Sequence, residues 1–447
     1  MKIAVIGGAG VRTPLLVNGL AQSDLPIDEV ALYDVDRDRL SVIGSLARTF
    51  CDRVRTYDSA RPAVAGASFV FVSIRVGGIA ARALDEATAI AHGVLGQETV
   101  GPGGFAMAMR TVPPAVEYAR LIADAAPDAW IVNFTNPVGI VSQAMLAASS
   151  RVIGICDTPT ELFEETARVL GLDSARCRFD YFGLNHLGWL REVYCDDAPR
   201  LAPLFDDPDR LMRIYRAPLF DAAFLRDLRL LPTEYLYFYY RPHDALAHMH
   251  DGGQTRGAAI AALNERLFRD LTLAGAGARD VYERYLAERS AGYMRMESGS
   301  QAPPAPAATS PLTGYDKIAL AVVRAIHFDT NAVIPLNVRN SRTLPYLAAD
   351  DVVEVPCVVN RNGARPQKVG AAPGSVRDLI AFVKDYERRT IRAAITRNTA
   401  DVVNALAANP LVGERTLAAR LVRALEITEV TEGTASTQRA GETEKTQ

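Results

Sequence analysis

The feature that most constrains this chain is a series of short apolar runs separated by amphipathic stretches. The intervening stretches, such as PLLVNGLAQ and RLSVIGSLARTF, have the apolar spacing of helices. Strands that alternate with helices predict βαβ units and a doubly wound parallel sheet of the Rossmann type. The runs are KIAVI (2–6), VALYDVD (30–36), SFVFVSI (68–74), AWIVNFT (129–135) and RVIGICD (151–157).

The pattern changes after residue 157. FGLNHLGWLREVYCD (182–196) alternates like an antiparallel strand, and helical segments follow near 255–290 and 314–327. These features predict a nucleotide-binding domain at residues 1–157 and an α+β domain at residues 158–430.

Two segments lack any periodic pattern. SGSQAPPAPAATSPLTG (298–314) is rich in Pro, Ala and Ser, which favours an exposed loop. The polar end of the chain, residues 431–447, is predicted to be a disordered tail.

Composition excludes several classes of protein. The 447 residues carry a net charge of −3, so no basic field for nucleic acid is present. No apolar stretch is long enough for a membrane span and no signal peptide is evident, so we expect a cytoplasmic protein. The five cysteines are scattered without a CxxC pair, which indicates neither a disulfide framework nor a structural zinc site.

The first strand runs directly into a glycine-rich turn. Gly7, Gly8 and Gly10 precede a helix, so backbone N–H groups can approach a pyrophosphate there. The third glycine of the usual fingerprint is absent, but Asp34 ends the second strand, where a carboxylate holds ribose hydroxyls and disfavours a 2′-phosphate. The pattern favours NAD over NADP; the alternative is a tight turn beside a solvated aspartate.

Polar residues follow several strands and should meet at one sheet edge. Cys156 and Asp157 end an apolar strand, and His186 follows thirty residues after Cys156. A thiolate and an imidazole suit a borderline divalent metal, although a buried thiol and a structural histidine are the alternatives. Glu98 lies in a glycine-rich loop, and Tyr235 opens an aromatic run.

Several long segments resemble glycoside hydrolase family 4, whose members are NAD- and metal-dependent. The segments extend over almost the whole chain, and they imply a lactate/malate dehydrogenase-like fold. They are IGGAG, RVGG…ARALDE, GQET.GPGGFAMAMRT, NFTNP, CDTP, GLNHLGW, P.EYL.YYY, VVEVPCVV.RNGARP and ANPLVG.

The resemblance implies a redox and elimination mechanism, in which NAD oxidises C3, C2 is deprotonated, the C1 oxygen leaves, and water addition and re-reduction follow. Cys156 and His186 resemble the ligands of Mn²⁺ or another divalent metal. Asp157 resembles the proton donor to the leaving oxygen. Tyr235 resembles the proton acceptor at C2, and Glu98 the carboxylate that raises its basicity.

The resemblance also implies a phosphorylated sugar substrate. Arg82, Asn136 and Arg256 resemble substrate-binding positions, and the cationic pair suits a 6-phosphate. We predict a 6-phospho-β-glucosidase that forms a homodimer or homotetramer. The alternatives are a 6-phospho-α-glucosidase or an α-galactosidase/galacturonidase of the same family, an NAD-dependent hydroxy-acid dehydrogenase, and a noncatalytic NAD-sensing regulator.

Two departures from the family pattern stand out. Val11-Arg12-Thr13-Pro14 replaces Ser-Tyr-Thr-Pro after the glycine turn. Asn337-Val338-Arg339-Asn340 replaces Asn-Val-Pro-Asn. Both positions call for a structural explanation.

Overall fold

A computed structural model describes residues 1–215, 219–292, 294, 298–299 and 314–427. Within these residues the strands form one mixed sheet. They are β1 (Lys2–Ile6), β2 (Glu29–Tyr33), β3 (Val54–Tyr57), β4 (Ala67–Val72), β5 (Trp130–Asn133), β6 (Val152–Gly154), β7 (Cys177–Leu184), β8 (Leu187–Cys195), β9 (Ala198–Pro199), β10 (Leu231–Pro232), β11 (Ala332–Arg339), β12 (Val352–Asn360) and β13 (Gly363–Pro366).

Helices cover both faces of the sheet. Asp36 and Thr255 cap α2 and α13 by accepting from the backbone N–H three residues on. The helices are α1 (Thr13–Gln22), α2 (Arg37–Phe50), α3 (Ala60–Val64), α4 (Gly78–Ala91), α5 (Gly101–Ala125), α6 (Val138–Met145), α7 (Thr158–Leu170), α8 (Ala202–Phe205), α9 (Pro208–Leu211), α10 (Ala222–Leu228), α11 (Tyr237–Tyr240), α12 (Pro242–Asp251), α13 (Arg256–Leu273), α14 (Ala278–Ala291), α15 (Gly314–His327), α16 (Gly374–Thr396), α17 (Thr399–Ala407) and α18 (Arg415–Ala424).

The first six strands form the predicted doubly wound sheet. They lie in the order β3-β2-β1-β4-β5-β6, and every neighbouring pair is parallel. This is the Rossmann order, so the predicted fold class is confirmed. The sequence pattern missed only β3, whose VRTY is short and half polar.

Burial on both sides explains why these strands read as continuous apolar runs. On β1, Ile3 and Val5 belong to one hydrophobic cluster, whereas Ala4 and Ile6 belong to another. Alternate side chains of a strand point to opposite faces, so a helical layer covers each face of the sheet.

The second half of the chain continues the same sheet with antiparallel strands, in the order β6-β11-β12-β7-β8-β10. The segment 182–196, predicted as a single strand, is instead the end of β7, a turn at Asn185–His186 and all of β8. The turn was missed because both strands keep the same alternation across it. The boundary at residue 157 stays a prediction.

Three further expectations concern the ends and the connections. The loop at residues 298–314 lies almost wholly outside the described residues, and the tail at 431–447 lies entirely outside them. No helix in the described part of the chain is long and apolar enough to cross a membrane.

Arg339 ends β11 and donates to the carbonyl of Leu146 at 2.9 Å, which ties that strand to the end of α6.

Candidate active site

The carboxyl ends of β1, β4, β5 and β6 open onto one crevice, and the polar residues singled out above follow these strands. Ligands of doubly wound folds bind at this edge. The hairpin turn between β7 and β8 and the segment after β10 bring His186 and Tyr235 from the second half of the chain to the same crevice.

The glycine turn packs tightly against neighbouring strand ends, and the amides of residues 7–10, predicted to face a pyrophosphate, donate within the protein instead. Gly7 has a φ of 90°, and a Cβ there would lie 2.2 Å from the carbonyl oxygen of Ser73. The amides of Gly7 and Gly8 donate to the carbonyl of Tyr33. Asp34 accepts from the amide of Ala9 at 3.0 Å, so its carboxylate lies beside the turn as expected for a ribose partner.

Cys156 and His186 both lie at the crevice as buried side chains, 4% and 6% exposed. Burial lowers the pKa of His186 to about 4, against the opposing charges of Glu98 and Asp157. The imidazole is therefore neutral, as metal ligation demands. Its Nδ1 lies 3.0 Å from the Thr99 hydroxyl, which fixes the ring orientation.

The Cys156 thiol has a different electrostatic setting. Burial raises its pKa, and the charges of Glu354 and Asp157 raise it further. A divalent cation would reverse this preference by stabilising the thiolate. Among the described residues no cluster of three or more His, Cys, Asp or Glu could hold a metal. Cys156 and His186 therefore stay the predicted ligand pair, with substrate oxygens and water as the other predicted ligands.

Tyr235 stacks on His186. The two ring centroids are 3.7 Å apart and the planes differ by 4°. Tyr235 lies in a 3₁₀ turn just after β10 and is 7% exposed. The stack places a phenol against the imidazole, so the predicted base and the predicted metal ligand share one wall of the crevice.

Glu98 is surrounded by arginines. One oxygen, Oε2, accepts from Arg75 at 2.8 Å and from Arg82 at 2.6 Å. Burial alone would raise the pKa of Glu98, but these two guanidinium groups hold it well below its usual range. Glu98 is therefore a fixed negative charge at any ordinary pH.

Arg82 is itself held on both sides. Its Nε donates to Glu86 at 2.7 Å, and Glu86 also accepts from the amide of Gly257 at 2.6 Å. Burial would lower the pKa of Arg82, but Glu98 and Glu86 raise it above the ordinary value. The neighbouring Arg256 donates to the carbonyl of Arg289 at 2.9 Å, at the end of α14.

Asp157 faces Arg12, a residue to which the sequence assigned no role. Nη1 of Arg12 lies 3.6 Å from Oδ2 of Asp157. The guanidinium lies 5.2 Å from the ring centroid of Phe134 and 5.6 Å from that of Tyr315. The departure at position 12 thus puts a cation beside the predicted proton donor. In the sequence, the position of Arg12 directly after the glycine turn could have indicated that it lies at the site.

Asn136 precedes a cis peptide bond to Pro137. Its Oδ1 is buried and has no hydrogen-bond partner among the described residues. Because an orphaned buried acceptor is costly, this oxygen suits a donor supplied by a ligand.

Glu354, in the middle of β12, was quoted in a motif but given no role. It is 1% exposed and accepts from Tyr181 at 2.7 Å, Asn337 at 2.7 Å and Asn185 at 3.2 Å. Burial raises its pKa to about 7. Since Asn185 precedes His186 in the hairpin turn, Glu354 supports that turn from behind. A glutamate inside the apolar run VVEVPCVV was the signal.

The fold and this crevice define a nucleotide-binding α/β protein whose site carries a thiol, an imidazole, a phenol and two carboxylates. Residues 2–172 match the family described as family 4 glycosyl hydrolase, and residues 181–412 match the C-terminal domain of that family. The chain therefore belongs to family 4 of the glycosyl hydrolases, and the predicted family is confirmed.

Relatives with assigned activities agree with this. The chain is 30% identical to a probable 6-phospho-beta-glucosidase of Bacillus subtilis, covering 94% of this chain and 95% of that one. It is 27% identical to the phospho-alpha-glucosidase PagL of Clostridium acetobutylicum, covering 95% and 96%. The solved 6-phospho-beta glucosidase of Thermotoga maritima, with manganese, NAD⁺ and glucose-6-phosphate, is 26% identical, with a TM-score of 0.79 over 96% of this chain and 98% of that one.

Proposed function

We propose that this family 4 enzyme hydrolyses 6-phospho-β-glucosides, such as cellobiose 6-phosphate, with NAD⁺ and a divalent metal, Mn²⁺, as cofactors. The observation that carries the proposal is the stack of Tyr235 on His186, in the crevice that also holds Cys156 and Asp157. A phenol, a carboxylic acid and a pair of N and S ligands together suit proton abstraction next to a metal-polarised carbonyl.

The residues present fit both cofactors. The cramped turn at Gly7 and the carboxylate of Asp34 suit a dinucleotide, and the neutral His186 with Cys156 suits a divalent transition metal. When bound, NAD⁺ supplies a reversible oxidation of the sugar and the metal supplies Lewis acidity. The neighbouring structure from Thermotoga maritima, with manganese, NAD⁺ and glucose-6-phosphate, supports this assignment.

The chain's own groups then divide the proton transfers. Tyr235 takes the proton from C2, on the wall that it shares with His186. Asp157, one residue after Cys156, gives a proton to the departing C1 oxygen. Glu98, ionised between Arg75 and Arg82, is our choice for the carboxylate that assists this base.

Cationic side chains favour a phosphorylated sugar. A narrow cleft beside Glu98 is lined by Arg75, Arg82 and Arg110, and in this structure each of them is paired with Glu98 or Asp85. A guanidinium group can donate two parallel hydrogen bonds to a phosphate. We therefore choose Arg82 and Arg256 as the residues that bind the 6-phosphate. The unpartnered Oδ1 of Asn136 would accept from a sugar hydroxyl.

The anomeric preference is the finer part of the proposal. The relative in Bacillus subtilis is named for β-linked substrates and the one in Clostridium acetobutylicum for α-linked ones, at 30% and 27% identity. The slightly higher identity and the segments GLNHLGW and P.EYL.YYY favour the β-anomer. A 6-phospho-α-glucosidase is the second candidate.

A substrate panel tests the proposal. The 4-nitrophenyl α- and β-glucosides and galactosides, each with and without the 6-phosphate, are assayed with and without NAD⁺ and Mn²⁺. We expect cleavage of the 6-phospho-β-glucoside only when both cofactors are present, with solvent deuterium at C2 of the product. Undiminished cleavage without NAD⁺, or stoichiometric NADH release from a hydroxy acid, would contradict the proposal.

Two variants test the assigned roles. Tyr235→Phe should lower kcat by about 10²–10⁴-fold, because general base catalysis contributes that much. Tyr240→Phe is the matched control, since its hydroxyl accepts from Trp189 at 3.0 Å and takes no part in the proposed chemistry. Equal losses in the two variants would remove Tyr235 from the mechanism. Cys156→Ser should abolish Mn²⁺ binding in a titration without substrate.

A further inference from the structure

Two cysteines outside the crevice lie directly opposite each other. Cys177 begins β7 and Cys195 ends β8, and the two residues are paired in the register of the hairpin. Directly opposed residues on antiparallel strands share one face of the sheet. The pair lies at the base of the hairpin whose tip carries His186, nine residues from either cysteine.

The loop that follows β8 shows whether Cys177 and Cys195 form a hydrogen-bonded or a non-hydrogen-bonded pair. Cys195 pairs with Ala198 across a two-residue loop, and both loop residues, Asp196 and Asp197, have positive φ (52° and 60°). Residues that flank such a loop exchange backbone hydrogen bonds with each other, so the N–H and C=O of Cys195 point towards β9.

A second contact supports this orientation. The amide of Arg200 donates to the carbonyl of Val193 at 2.8 Å, so the backbone carbonyl of Val193 points away from β7. In a strand, the backbone N–H and C=O groups of residues two apart point to the same side, so those of Cys195 also point away from β7. Cys177 and Cys195 therefore form a non-hydrogen-bonded pair, the kind in which Cα atoms are closest, at roughly 4.5 Å.

That separation is compatible with a disulfide, whose Cα atoms lie about 4.4–6.8 Å apart. All five cysteines are free thiols in the structure, and the Cys177 thiol donates to the carbonyl of Asp173 at 3.3 Å. Cys177 is only half-buried, whereas the other four cysteines are buried. An external reagent can thus reach one sulfur of the pair.

We propose that Cys177 and Cys195 form a reversible disulfide by exchange with a small-molecule disulfide. The Cys177 thiolate attacks one sulfur of the reagent, breaks its S–S bond and releases one thiol. The Cys195 thiolate then attacks the Cys177 sulfur and releases the second thiol. The two cysteines are oxidised, the reagent is reduced to two thiols, and the two protein protons leave with those thiols.

The charges around the pair set the rate of this exchange. Burial, the Cys195 thiol and the carboxylates of Asp173 and Asp196 raise the pKa of Cys177 to about 11. Arg176, which binds both oxygens of Asp196 at 2.8 Å, offsets part of that negative charge. Little thiolate is present at neutral pH, so the exchange is slow there and faster in alkaline buffer.

The disulfide would fix the base of the hairpin without touching the crevice. Because it closes a loop that contains the whole turn, it restricts the unfolded chain more than the folded one. We expect the oxidised protein to melt a few degrees higher than the reduced protein and to keep the position of His186.

The experiment treats the full chain, loaded with NAD⁺ and Mn²⁺ to protect Cys156, with oxidised glutathione at alkaline pH. After quenching and denaturation, the number of free thiols should fall from five to three, and peptide mapping should find Cys177 linked to Cys195. Dithiothreitol should restore both thiols.

Three serine variants complete the test. Cys195→Ser should trap glutathione on Cys177, whereas Cys177→Ser should keep its four remaining thiols. Cys51→Ser, the matched control, should still lose the thiols of the pair. The proposal is overturned if the five thiols survive a treatment that oxidises a free dithiol control, or if mapping assigns the lost thiols to other cysteines.

Discussion

Glu98 and Glu354 are the same residue type, both shielded from water and both near the crevice, yet their pKa values move in opposite directions. Two arginines hold the carboxylate of Glu98 at 2.6 and 2.8 Å, and its pKa lies well below the usual range. Glu354 has only neutral donors, and burial raises its pKa to about 7. The charge of the partners, more than the burial, decides how each carboxylate behaves.

The contrast divides the site into two parts. On the Rossmann side, Glu98 supplies a permanent negative charge that no ordinary change of pH removes. Behind the hairpin turn, Glu354 is near its titration point at neutral pH and touches the turn through Asn185. Asp157 lies 3.6 Å from Arg12, and a quarter of its side chain is exposed.

The largest effect is expected for Glu98→Gln. Removing this charge leaves Arg75 without its carboxylate and leaves Arg82 paired with Glu86 alone, which should cost about 3 kcal/mol of unfolding free energy. The measurement is urea unfolding of the apo protein. Glu354→Gln is the matched control and should cost far less at pH 8, because its hydrogen-bond partners among the described residues are neutral. Similar losses of unfolding free energy in both variants would contradict the conclusion that the charge of the partners distinguishes Glu98 from Glu354.

The next effect concerns pH. Because the folded-state pKa of Glu354 lies above the unfolded value, the folded state holds its proton more tightly, and stability is lost as pH rises from about 4.5 to about 7. The expected loss is on the order of 3 kcal/mol, because each pKa unit between about 4.5 and about 7 corresponds to about 1.4 kcal/mol.

Urea midpoints between pH 4.5 and pH 8 measure this slope. Glu354→Gln should flatten it, since glutamine does not titrate, whereas Glu98→Gln should leave the slope intact, because Glu98 is ionised over the whole range. A wild-type stability that rises over this range with an unchanged slope in Glu354→Gln would contradict the assignment.

The smallest effect is expected at Arg12. A half-exposed ion pair contributes up to about 1 kcal/mol, so Arg12→Met should lower kcat by roughly fivefold. The loss should be greater for alkyl than for 4-nitrophenyl leaving groups, because only poor leaving groups depend on the acid that Arg12 positions. Arg12→Lys should recover part of it. An equal loss for every leaving group would assign Arg12 to substrate binding instead.

Local pattern was enough to predict the nucleotide-binding half. Every strand there except β3 is buried on both faces, so its apolar composition predicts it, and each loop lies next to its own strand in sequence. The glycine turn could be predicted from the sequence. The structure shows why Gly7 is needed, since a Cβ there would collide with the carbonyl of Ser73.

The second half was harder because its contacts join distant segments. The turn at Asn185–His186 was missed, since two strands with the same alternation read as one. The partners of Glu354 come from residues 181, 185 and 337, and no local signal links these positions.

By itself, then, the sequence determined the doubly wound sheet, the glycine turn and the residue types gathered at the strand ends, because periodicity and turn chemistry are local properties. Only the tertiary structure decided which charges face each other. It placed Arg12 against Asp157, two arginines on Glu98 and neutral donors on Glu354, and it set Cys177 opposite Cys195. The state of a buried group depends on neighbours that folding supplies from far along the chain.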